Sequence, residues 1–188
     1  MGKHHTTEVK SFLEHSYKKP QKGTEINGYK RDDSLSGKRA QVYTNQEGKA
    51  VVVHRGTSGI HDMITDAKLS LGFNKSKRMS HAKKIQSRAE AKYGSGNTTT
   101  MGHSLGGHLA EKVAHKDSDV VTLNKAALPK DMFKKIKSNQ TDIRTKRDLV
   151  SMLSKGQKGG TKVTIKSHSK DPLKEHGLDT LDRVNLTV

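Results

Sequence analysis

The 188-residue sequence predicts an α/β fold, a mostly parallel central sheet flanked by helices in one compact domain. Three observations lead there. Short β-branched runs recur along the chain and alternate with helix-period segments. One strand-like run, Asn97–Met101, passes through Gly102-His-Ser-Leu-Gly-Gly107 straight into a helix-prone run. No stretch of eighteen apolar residues occurs, so the apolar segments have the length of strands and helix faces and none reads as a membrane span.

The elements follow in order. Val9, Phe12, Leu13 and Tyr17 share a face at helical spacing, which predicts a first helix over Thr6–Lys19. Pro20–Gly28 reads as a break. Ala40–Thr44 and Ala50–His54 are β-branched runs joined by the turn-prone Asn45–Gly48, a hairpin. His61–Leu71 reads as a short helix or lid-like segment. Lys75–Tyr93 reads as a basic amphipathic helix stopped near Gly94. After the elbow come a helix over Leu105–Lys116 and a strand over Asp119–Asn124. A helix opened by Pro129 runs to Ser138, followed by a strand over Thr141–Lys146, a flexible loop at Gly156–Gly160 and a last strand over Lys162–Lys166. Residues 1–39 form an amino-terminal helical and loop extension of the single 1–188 domain.

Composition narrows the function classes. Lys plus Arg number 36 against 19 Asp plus Glu, a formal charge of +17. Such a field attracts polyanions. The cations are spread along the chain, however, with no zinc-finger, RNP-like or basic-heptad signature, so specific nucleic-acid recognition is not expected; an anionic membrane surface fits better. There are no cysteines, which removes disulfides and thiol chemistry and favours a reducing compartment. The first twenty residues have no apolar centre, so no secretion signal is read and an intracellular, peripherally membrane-associated protein is expected. Met1-Gly2-Lys3-His4-His5-Thr6 also fits the loose pattern for amino-terminal acylation.

The chemistry centres on Gly102-His-Ser-Leu-Gly106. A strand turning sharply into a helix forces Ser104 into a strained conformation with its hydroxyl raised above the sheet, and leaves no room for side chains at positions 102 and 106. Gly107 lets the helix approach the sheet. The Leu105 amide, at the helix start, points where an oxyanion would form. A serine nucleophile requires a base and an acid to orient it. On such a sheet they follow in the order acid, then histidine. Asp148 stands just past the strand Thr141–Lys146, and His176 beyond the last strand. His168 also follows that strand and is the other candidate base.

Four segments resemble, in order, the class 3 lipase family of α/β-hydrolases: Val51-Val-Val-His-Arg-Gly-Thr-Ser58, Gly102-His-Ser-Leu-Gly-Gly107, Arg147-Asp-Leu-Val150 and His176-Gly-Leu-Asp-Thr180. The resemblance spans about residues 40–182. It implies Ser104 as nucleophile, Asp148 as acid, His176 as general base, and Thr57 with Leu105 as the oxyanion hole. Arg55 would anchor the oxyanion loop and Asp66 would end the lid segment. The implied activity is hydrolysis of an acylglycerol or phospholipid ester through an acyl-enzyme, with no metal or cofactor. Two departures bear on substrate. His54 replaces the family's usual Phe. Lys125 stands where a Ser is usual, placing a cation near the elbow helix, and basic residues of this kind would suit a phospholipid headgroup. The rival expectation is an inactive hydrolase-like protein that binds membranes or an acidic partner.

Overall fold

The computed structural model describes residues 4–57 and 77–188. Among these residues eight strands form one sheet in sequential order: β1 (Glu25–Ile26), β2 (Tyr29–Arg31), β3 (Ala40–Thr44), β4 (Ala50–His54), β5 (Thr98–His103), β6 (Asp119–Leu123), β7 (Gln140–Thr145) and β8 (Thr161–Ile165). β1 to β4 pair antiparallel, and β4 to β8 pair parallel. Every residue of β4 and β5 is buried. That is what a parallel strand covered on both faces requires, and it explains the unbroken Ala-Val-Val-Val run.

Among the described residues the α-helices are α1 (Thr6–Tyr17), α2 (Lys77–Tyr93), α3 (Leu105–Val113) and α4 (Pro172–His176). Alternate residues of β4 divide between two layers. Val51 and Val53 join Phe12 and Leu13 of α1, with Met101, Leu123, Ile143 and Ile165, in the main core. Val52 faces the other way, with Val42, onto Ile85 and Ala89 of α2. Ala110 of α3 and Ala114 just after it pack on Val120 of β6.

The hairpin β3–β4 and the helix α1 agree with the sequence expectation. The break at Pro20–Gly28 instead contains β1 and the turn into β2. Asn27 and Gly28 both have positive φ, 49° and 79°, as a two-residue hairpin turn demands. The expected helix over Pro129–Ser138 is only a 3-10 turn, Pro129–Asp131. Its backbone groups are recruited by a neighbouring loop: Ile136 N–H donates to Lys158 O at 2.8 Å, and Lys158 N–H to Lys134 O at 3.2 Å. The elbow helix stops at Val113, short of Lys116. The segment His61–Leu71, Ser58 and Asp66 lie outside the described residues. Among the described residues no helix is long and apolar enough to cross a membrane.

Candidate active site

The elbow follows from packing. Ser104 has φ 57° and ψ −125°, a conformation an L residue adopts only when its surroundings enforce it. The surroundings are crowded backbone. A Cβ on Gly102 would overlap the Gly106 carbonyl and lie 2.5 Å from Gly107 N. A Cβ on Gly106 would strike His54 O and sit 2.9 Å from Gly56 N, and one on Gly107 would lie 2.7 Å from Lys125 Cβ. The three glycines therefore hold strand, helix and the 55–57 loop at contact distance. Ser104 O accepts the amides of His108 and Ala126, at 3.2 and 3.1 Å, which fixes the turn from both sides.

Asp148 and His176 meet across 28 residues of sequence. His176 Nδ1–H donates to Asp148 Oδ1 at 2.7 Å, and both groups are buried. The carboxylate is held by two further donors: Val150 N–H to Oδ1 at 3.1 Å and Ser151 N–H to Oδ2 at 2.9 Å. This bond places the proton on Nδ1 and leaves Nε2 with a lone pair. Nε2 is buried and has no hydrogen-bond partner. Among the described residues no hydrogen bond joins it to the Ser104 hydroxyl. Ser104 itself is 2% exposed rather than raised into solvent as expected. Gly56, after β4, and His176, after β8, both lie against the neighbouring His103.

Residues not singled out from the sequence hold these loops together. Asn124 ends β6 with φ 44°. Its Oδ1 accepts Thr145 N–H at 2.8 Å, and its Nδ2 donates to Glu175 O at 3.1 Å and His176 O at 3.2 Å. One amide thus ties the loop that carries the acid to the loop that carries the imidazole. His103, in the elbow, ties the imidazole loop to α1 instead. Its Nε2–H donates to His176 O at 2.8 Å, while Nδ1 accepts from Tyr17 Oη at 2.9 Å. Burial, and then the neighbouring His176, push the His103 imidazole down to about 3, so it stays neutral. Burial pushes the Tyr17 phenol up to about 12 against the pull of the Gly56 amide and the Arg55 and Arg78 guanidiniums. Glu175 accepts Ser169 N–H at 2.7 Å and His168 N–H at 3.1 Å, and pairs with Arg183 at 2.6 Å. His168 is exposed and bonds Glu175 through its backbone N–H, while the imidazole that meets Asp148 is that of His176.

The 55–57 loop lies where the oxyanion hole is expected. His54 pairs in register with Gly102, and the Gly56 amide lies within 2.9 Å of where a Cβ on Gly106 would stand, one residue before Thr57. Leu105 is the first residue of α3, and its amide belongs to the unpaired first turn. Arg78 Nη2 donates to Arg55 O at 2.6 Å and to Gly56 O at 3.3 Å, clamping the loop from α2. The Arg55 guanidinium stands 5.6 Å over the Tyr17 ring.

Two substitution sites behave differently from expectation. His54 does not face the site. Its Nε2–H donates to Gln86 Oε1 at 3.1 Å, and burial pushes it down to about 4. Lys125 is not a cation offered to a headgroup. It is 2% exposed and paired with Asp142 at 2.5 Å and with Glu111. Burial raises Glu111, but Lys125 and Gln140 outweigh it and hold that carboxyl at about 2. Among the described residues no group of three His, Cys, Asp or Glu is arranged to hold a metal ion.

A strained serine at a strand–helix elbow, flanked by an acid–imidazole pair from later loops, is the arrangement of an α/β-hydrolase sheet. The family match is more specific. Residues 15–158 match a phospholipase-like family described as the Tle-like phospholipase domain, and the chain belongs to that family. Ser104 and Asp148 lie inside the matched span, and His176 beyond it. No curated protein matches the sequence. Among solved structures the chain is similar to the Rhizomucor miehei lipase propeptide complex, with TM-score 0.46, 14% identity, and 80% of this chain against 62% of that one covered. It is also similar to a mutant of MDLA from Penicillium cyclopium, with TM-score 0.46, 13% identity and coverage of 88% and 78%. A predicted CIB-like hydrolase from Thermoplasma acidophilum aligns with TM-score 0.41, 14% identity and coverage of 84% and 93%. The chain thus spans less than two thirds of the Rhizomucor protein.

Proposed function

We propose that the protein is a serine hydrolase of lipid carboxylic esters, with phospholipid as the substrate class its family name favours. The observation that carries this reading is the 2.7 Å Asp148–His176 bond, whose buried Nε2 has no partner, in a chain that also holds Ser104 strained at the strand–helix elbow. In the proposed reaction Ser104 Oγ attacks the ester carbonyl carbon and its proton passes to His176 Nε2. The oxyanion is met by the Leu105 amide and by Thr57. Each such donor lowers the barrier by about 3 kcal/mol. His176 then returns the proton to the departing alcohol, leaving an acyl-Ser104. Water, deprotonated by the same nitrogen, releases the acid and restores the serine. Asp148 keeps Nε2 aimed and stabilises the imidazolium. A Ser104–His176 hydrogen bond has to form on substrate binding; catalytic bonds in unliganded enzymes are commonly long and tighten only in the complex. The class 3 lipase motifs and the reading of residues 1–188 as one domain belong to the same proposal.

One observation favours a second reading, a non-catalytic protein of the same fold: the hydroxyl and the imidazole are not hydrogen-bonded. Turnover of p-nitrophenyl butyrate and of phospholipid by the wild type and by Ser104→Ala separates the two. The proposal expects turnover that falls a thousandfold or more in the variant, in line with the ~10³-fold or larger cost of losing a triad member. Turnover absent in the wild type, or unchanged in the variant, overturns it.

A further inference from the structure

Among the described residues four large apolar side chains are exposed, and three sit on two neighbouring loops. Phe133 (79% exposed) lies on the loop after β6, and Leu149 (51%) and Met152 (56%) lie on the loop after β7. The loops interlock through the Lys135–Lys158 bridge and the packing of Met132 against Gly156. Residues 125–139 and 146–160 contain only two carboxylates, Asp131 and Asp148, and both are buried. Their other charged groups are basic and mostly exposed: Lys130, Lys135, Lys146, Arg147 and Lys155 all face solvent. Leu149 directly follows Asp148, whose carboxylate is bonded to the amides of Val150 and Ser151, so this apolar tip is tied to the acid of the site.

Exposed phenylalanine, leucine and methionine on adjoining loops are unusual unless something covers them. Apolar tips set among cations with no exposed carboxylate match the boundary of an anionic bilayer, where acyl chains lie just beneath the negative headgroups. A second copy of this face would bring like charges together. We propose that the loops after β6 and β7 dock the protein onto anionic lipid bilayers, with Phe133, Leu149 and Met152 entering the acyl boundary. The choice of lipid rests on the ester-hydrolase reading. Docking itself does not require turnover.

The chain has no tryptophan, so one can be placed as a reporter. The variant Phe133→Trp, in a Ser104→Ala background, is mixed with phosphatidylglycerol vesicles and with phosphatidylcholine vesicles. Gln46→Trp, on the β3–β4 turn at the other end of the parallel strands, is the control. The proposal expects a blue shift and quenching by brominated acyl chains at position 133 on anionic vesicles only, weakening with salt, and no change at position 46. A Phe133→Ser, Met152→Ser double variant should lose about tenfold or more in vesicle affinity. No response at position 133 overturns the proposal, as does an equal response at position 46. A concentration-dependent shift without vesicles also overturns it, because the face then pairs with a second copy. Docking by Ser104→Ala alongside an inactive wild type sinks the hydrolase reading and leaves the docking face standing. An active wild type whose reporter stays silent does the reverse.

Discussion

Replacing Asn124 tests whether one amide holds the acid and imidazole loops together. Asn124→Ala removes the acceptor for Thr145 N–H and a donor to Glu175 O, both on fully buried residues, while His176 O keeps the His103 bond. A buried polar group left unpaired costs about 1–3 kcal/mol. Alanine at φ 44° adds about 1 kcal/mol of backbone strain that asparagine tolerates better. With two such groups the sum is about 3–7 kcal/mol, or a fall of about 10 °C or more in melting temperature for a chain of this size. Asn124→Gly escapes the strain but not the lost bonds. It should therefore recover only about 1 kcal/mol of the deficit. Urea unfolding measures stability. The rate of ester turnover, under conditions where the variants are folded, measures alignment, and should fall about tenfold or more with the loops untied. An Asn124→Ala protein within about 1 kcal/mol of wild type, turning over ester at the wild-type rate, refutes the argument.

Two further outcomes follow from burial and crowding. His54 and His103 are pushed down to about 4 and about 3, so both stay neutral in the folded chain while their unfolded counterparts take protons near 6.5. Their stability contribution is complete above 6.5 and is lost as pH falls, at about 1.4 kcal/mol per pH unit for each. Between pH 6.5 and 5 the loss reaches about 4 kcal/mol at most, and His54→Gln should remove about half of the slope in urea midpoints taken across that range. Gly102→Ala drives a methyl into the Gly106 carbonyl, where backbone and not a flexible side chain must yield. It should destabilise by more than about 3 kcal/mol, read by thermal unfolding, whereas Gly37→Ala, with open space around it, should be near neutral.

What could be read from the sequence was what local sterics dictate. Gly102, Gly106 and Gly107 are legible because a side chain at any of them would meet backbone or a neighbouring residue, and Ala50–Val53 because an apolar β-branched run suits a strand buried on both faces. The Asn27-Gly28 hairpin carried an equally clear signal, two residues suited to positive φ, that was read as a simple break. Other features depend on partners distant in sequence. Pro129 announces a helix, yet the Lys158 region claims the backbone groups a helix needs. Lys125 looks like a surface cation until β7 delivers Asp142 against it. Asn124 and Arg78 act through backbone groups 21 and 23 residues away, and Glu175 through the amides six and seven residues before it, and nothing in their immediate neighbours marks them.

The most direct test of the account is covalent capture. A fluorophosphonate reacts only with a serine whose proton a neighbouring base can take. Peptide mapping after exposure should find the adduct on Ser104 in the wild type, and no adduct after His176→Ala in a protein that still unfolds cooperatively. An unmodified Ser104 in the wild type, or labelling of Ser104 that is indifferent to loss of the imidazole, would contradict the account.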